Sequence, residues 1–179
     1  MASSSTNKMP LLVDRPLSSW ATIGATAGLT SATNFNTPSG PGLTLLVDCS
    51  SNDGAMVDSL SLVVTEASTT TSTVLVFMSV AATTAAVTAG NTALVASVAI
   101  PVGSTAGQRV NIPLLPLTVP VPNLASPAAT MATYPAETDK KNTGLLVPSG
   151  ALLYAGVSAA LTMPSTATRV HVVAQGGFY

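Results

Sequence analysis

From Ala67 to Gln108 the chain runs 42 residues without a charged side chain. A disordered segment of that length would be rich in charge and poor in apolar residues, yet this one carries Val74, Leu75, Val76, Phe77, Leu94, Val95, Val98 and Ile100. It must be packed as sheet, as buried helix or as a membrane span. Ser79, Thr83, Thr84, Thr88, Asn91, Thr92 and Ser97 argue against the span, because they interrupt the apolar residues too often for hydrocarbon. Residue type argues against the helix. The chain holds 45 Ser or Thr and 20 Val, and β-branched side chains lose rotamer freedom in a helix but pack well on a pleated surface. The sequence predicts an all-β protein.

The whole chain extends that pattern. Only 7% of its residues are charged, with a net charge of −1, while 47% are hydrophobic. An ordinary soluble domain has roughly 25% charged residues. At 179 residues the length suits one domain with a sizeable core and an unusually neutral surface. Phosphate neutralisation needs clustered Lys and Arg, and the six basic residues are scattered from Lys8 to Arg169, so no nucleic-acid partner is expected. One His and one Cys leave little from which to build a general base, a nucleophile pair or a soft-metal site, so no enzyme activity and no cofactor are expected. The N-terminal ten residues lack the charged region and apolar stretch of a signal peptide.

Period-two alternation locates strands. In Val57–Thr65, Leu60, Leu62 and Val64 share one face, and Ser59, Ser61 and Thr65 the other. Thr73–Val80 and Thr92–Ile100 are apolar on both faces, which suits the middle of a sandwich or a subunit contact. Leu43–Cys49, Arg109–Leu114, Gly150–Leu161 and Thr168–Gln175 complete the set, with a short Ala-rich helical turn possible in Ala81–Asn91. Asn52-Asp53-Gly54 reads as a tight hairpin turn joining the first two strands. Five prolines between Pro113 and Pro127 demand an extended edge or surface path. Residues 1–42, with Pro10, Pro16, Pro38 and Pro41 among small polar residues, cannot close a core alone and are read as an extended N-terminal arm. The expected architecture is an antiparallel β-sandwich, jelly-roll or Ig-like, over residues 43–179.

Candidate sites are few. Asp48, Asp53 and Asp58 invite a calcium reading, but counted from Asp48 the sixth and twelfth positions of an EF-hand loop, Gly and Glu, are Asp53 and Ser59 here. A turn with solvated carboxylates is favoured, and no metal is expected. His171 falls on the same face as Arg169 and Val173, opposite Val170, Val172 and Ala174, and reads as a surface or interface histidine rather than a ligand. Cys49 reads as a small buried apolar residue. Aromatic residues make up only 4% of the chain, so each ring supplies an unusual share of buried or contact area. Tyr154 is expected in the core. Leu11, Leu12, Trp20, Phe35, Phe178 and Tyr179 are the candidate interface residues.

Val74-Leu-Val-Phe-Met78, Val98-Ala-Ile-Pro-Val102, Leu146-Val-Pro-Ser-Gly-Ala-Leu-Leu-Tyr-Ala155 and the closing Val170-His-Val-Val-Ala-Gln-Gly-Gly-Phe-Tyr179 resemble, in that order, small β-sandwich structural proteins of tailed bacteriophages. The resemblance spans residues 43–179 and leaves the arm outside. It implies a virion structural protein assembled in the host cytoplasm, of the head decoration or cement kind. Its partners would be the major capsid protein and copies of itself, and no membrane. A tail, fibre or knob component is the alternative, and a carbohydrate-binding adhesin a more distant one. In residue terms, Pro148-Ser-Gly150 is a tight turn delivering Leu152 and Tyr154 to a sheet, and Gly176-Gly177 is expected to let the last strand swing its aromatics away.

Overall fold

The computed structural model describes residues 15–24, 42–67, 71–88, 90–100, 102–114, 144–158 and 169–179. Nine strands run through them: β1 (Arg15–Gly24), β2 (Thr44–Asp48), β3 (Gly54–Val64), β4 (Ser72–Ser79), β5 (Thr92–Ile100), β6 (Arg109–Ile112), β7 (Leu145–Pro148), β8 (Leu152–Val157) and β9 (Arg169–Phe178). The single helical element among the described residues is a 3-10 turn at Thr84–Ala86.

Two antiparallel sheets form. Sheet A has the order β1-β9-β3-β6, with β7 pairing β3 beside β6, and sheet B has the order β2-β8-β4-β5. Setting β7 aside, the first strand pairs the last and the second pairs the next to last, each pair in a different sheet. That is the jelly roll, a double-sheet way of folding one long antiparallel ribbon. An Ig-like sandwich would instead keep its first two strands together in one sheet.

Seven of the nine strands fall where alternation predicts them. Between the sheets lie Val57, Leu60, Leu62 and Val64 of β3, Val74 and Val76 of β4, Leu153, Ala155 and Val157 of β8, and Val170, Val172 and Ala174 of β9. Burial of such side chains is the main force holding the layers together, at roughly 1.5–3 kcal/mol each. Ser61 departs from its expected wet setting. It faces outward but is 1% exposed, a small side chain between the register partners Val173 and Asn111.

Three expectations are corrected. Arg15–Gly24, inside the stretch read as an arm, are the edge strand β1, paired with β9 over ten consecutive residues. Leu17, Ala21 and Ile23 supply the inward alternation, and Pro16 is tolerated because an edge strand need not donate on both sides. Residues 1–14 and 25–41 lie outside the described residues. Asn52-Asp53-Gly54 does not make a hairpin, because β2 and β3 belong to different sheets. The chain instead turns a corner. An Asp48 carboxylate oxygen accepts from the Ser50 amide at 2.8 Å, the Cys49 amide donates to the Ala151 carbonyl, and Gly54 enters β3 at φ 128°. Finally, Gly176-Gly177 does not release the terminal aromatics. β9 stays paired through Phe178 with both β1 and β3. Gly176 is required by close approach, since a Cβ there would sit 1.9 Å from the Met56 carbonyl oxygen, beside the bulge between Val57 and Ser59.

The Pro148-Ser-Gly150 turn forms as expected, closed by the Ala151 amide on the Pro148 carbonyl at 3.1 Å, with Gly150 at φ 79°. Of the proline-rich stretch only Pro113 and Leu114 are described, directly after the edge strand β6.

Candidate functional site

The apolar residues of β4 on both faces have two destinations. Val74 and Val76 point into the inter-sheet core, while Leu75 and Phe77 join Leu152 and Tyr154 of β8 in a second cluster with Leu43, Ala81 and Val87. That cluster lies on the outward side of sheet B under the β4–β5 connection. Side chains clasp the connection in place. The Tyr154 hydroxyl donates to the Ala81 carbonyl at 2.7 Å, and the Asn91 carboxamide accepts from the Thr88 amide at 2.7 Å and donates to the Ala86 carbonyl at 2.9 Å. Burial, with a smaller contribution from Asp48, pushes the Tyr154 phenol above its ordinary value. Tyr154 is a core residue, as its sequence setting suggests, but of this outer core.

On sheet A the outward positions form rows across the strands. One row reads Trp20, Val173, Ser61, Asn111, and the next reads Thr22, His171, Val63, Arg109. Trp20 is 67% exposed. His171 is half-buried beside it, with Nδ1 3.1 Å from the Thr22 hydroxyl oxygen. The expected partition of β9 holds: Val170, Val172 and Ala174 are buried, and His171 and Val173 face outward.

The remaining interface candidates divide. Phe178 is half-buried against the inter-sheet core, with the Arg15 guanidinium 5.2 Å from its ring centroid in a cation–π stack. Arg15 also donates to the Asn52 side-chain oxygen, so β1, β9 and the β2–β3 corner are tied at one end. The half-buried Tyr179 donates its amide to the Gly54 carbonyl at 3.0 Å. Leu11, Leu12 and Phe35 lie outside the described residues.

Among the described residues, chemistry-bearing side chains do not converge. Among the described residues no group of three or more His, Cys, Asp and Glu could hold a metal ion. Cys49 is fully buried, and burial, then the Asp48 charge, push its thiol up to about 11, far from the thiolate a nucleophile needs. Asp53 and Asp58 are exposed. What the sequence pattern did not reveal is Leu146, 57% exposed on β7 at the opposite margin of sheet A from Trp20. Among the described residues the outward positions of sheet A are uncharged over most of its width, with Trp20 and Leu146 exposed at its margins.

Comparison with protein-family models, curated proteins and solved structures finds no significant match to this chain. The structural class is an all-β, two-sheet jelly-roll sandwich in which, among the described residues, the outward face of sheet B is covered by the β4–β5 connection and the outward face of sheet A leaves Trp20 and Leu146 exposed.

Proposed function

We propose that this chain is a virion structural protein of a tailed phage, a head decoration or cement protein that binds the assembled shell and ties its subunits together. The observation that carries this reading is a jelly-roll sandwich presenting exposed large apolar side chains, Trp20 and Leu146 foremost, on a chain with only 7% charged residues. The jelly roll recurs in capsid and lectin domains. A neutral Ser/Thr/Ala surface with apolar anchors suits a protein whose faces are covered by neighbours in a lattice. The mechanism is linkage: a protein that binds only the assembled shell adds its free energy to that state alone and raises its resistance to heat or internal pressure.

Particles made without the gene test this directly. Shells should form, break at lower temperature than wild type, and recover when purified protein is added back. Recovery should survive molar salt, because screening weakens exposed ion pairs and leaves apolar burial intact. Absence of shells, or unchanged melting, would reassign the protein to assembly or to the tail, fibre or knob. One observation favours an adhesin as second reading, namely the exposed Trp20 ring flanked by Thr22, His171 and Gln175. Specific glycan-array binding lost in Trp20→Ser would support it.

A further inference from the structure

We infer that the outward face of sheet A is the surface on which two copies of this chain pack back to back. The inference goes beyond the proposed role and can be tested without particles, so either can fail alone.

Size is the first argument. The face is four strands wide and ten to eleven residues long on its longest strands, which at the usual strand spacing and rise is roughly 600 Å². Doubled over two copies, that reaches the lower end of stable interfaces, about 1,200 Å². Composition is the second. The middle of the face is uncharged, with Trp20 and Val173 at one margin and Met56 and Leu146 toward the other. An exposed Trp beside a β-branched neighbour is the kind of anchor that dominates interface energies.

Charge complementarity selects a second copy as the occupant. Among the side chains described on this face, the charged ones are Arg109, in register with Val63, and Asp58, exposed at the bulge of β3. They lie about 15 Å apart along the strands, one strand over. A twofold axis in the plane of the interface, running across the strands midway between them, sets each Arg109 against the other copy's Asp58. The strands of the two sheets then run nearly antiparallel across the interface, within the roughly 30° over which packed sheets align. A closed, isologous pair of this kind buries the apolar residues and matches both charges in one operation.

The chain contains one tryptophan, so Trp20 reports its own burial. With the full-length protein, sedimentation equilibrium should give a dimer, and the emission maximum should shift to the blue as concentration passes through the dissociation constant. Trp20→Ser and Ser59→Glu should each weaken dimerisation at least tenfold. Arg109→Asp should weaken it too, and adding Asp58→Arg in the same chain should restore it. Val80→Glu, which alters an exposed apolar residue at the end of β4, should change nothing. A wild-type monomer at about 100 µM with unshifted emission would overturn the inference. So would a dimer indifferent to Trp20→Ser and Ser59→Glu, a charge swap that fails to restore, or an emission shift seen only on adding phage shells.

Discussion

On sheet B the outward rings of Phe77 and Tyr154 are 0% and 2% exposed, under a connection that brings Ala81 and Val87 across them; on sheet A the outward ring of Trp20 is 67% exposed. Both surfaces alternate in the same way, and both put aromatic and aliphatic side chains outward. They differ in the path the chain takes after each strand. Between β4 and β5 the chain folds back over the strand it has just left and is pinned there by the Tyr154 hydroxyl and the Asn91 carboxamide. Among the described residues no corresponding segment packs over Trp20. An outward apolar residue thus becomes core or stays exposed according to whether a connection returns over it, and residue type alone does not distinguish the two.

The largest expected effect comes from emptying the covered face. Phe77→Ala should cost about 3–5 kcal/mol, because it removes a fully buried ring and leaves a cavity. A drop under about 1 kcal/mol in urea unfolding would mean that the second cluster is not a core.

Next is alkaline pH. Cys49 has its thiol pushed up to about 11 from 9.0, so the folded chain keeps that proton to higher pH than the unfolded one. The stability it contributes is whole below pH 9 and is lost as pH rises to about 11, at most about 3 kcal/mol. Tyr154 is shifted in the same direction and adds to the fall. Urea midpoints should decline across this window, less steeply in Cys49→Ala; a flat wild-type profile would contradict the burial of these groups.

Removing only the clasp is milder. Tyr154→Phe keeps the ring and leaves the buried Ala81 carbonyl without its donor, a cost of about 1–3 kcal/mol. Hydrogen exchange should show faster opening of residues 81–91, and unchanged protection there would sink the idea that the hydroxyl pins the connection.

Smallest is the open face. Trp20→Ser, compared at a concentration where the protein is monomeric, should change stability by no more than about 0.5 kcal/mol, since little is buried to lose. A loss rivalling that of Phe77→Ala would erase the contrast between the two faces.

Legibility tracked the same physics. β3, β4, β5, β8 and β9 stand out because each has at least three apolar residues at period two, and the burial of Leu60, Leu62, Val64, Val170, Val172 and Ala174 obeys that pattern. β1 is hidden because Arg15 and Pro16 at its start resemble a loop, although Leu17, Ala21 and Ile23 carry a recoverable alternation. β7, four residues between Gly144 and the Pro148 turn, is too short for any periodicity. The apolar second face of β4 is visible as such, and its two possible meanings, inner strand or subunit contact, cannot be separated without knowing what lies above it.

By itself, then, the sequence determined that the chain is all β, where most strands run, and which side of β3 and β9 faces inward, because period two and β-branched content act within a few residues. Only the tertiary structure decided that β1 closes sheet A against β9, that the Asn52–Gly54 turn is a corner between sheets, and that Phe77 is covered while Trp20 is open. Those outcomes depend on contacts between residues more than a hundred positions apart, such as Trp20 with Val173, or on a connection folding back over the strand it leaves. Local pattern sets which way a side chain points, and packing at a distance sets what it meets there.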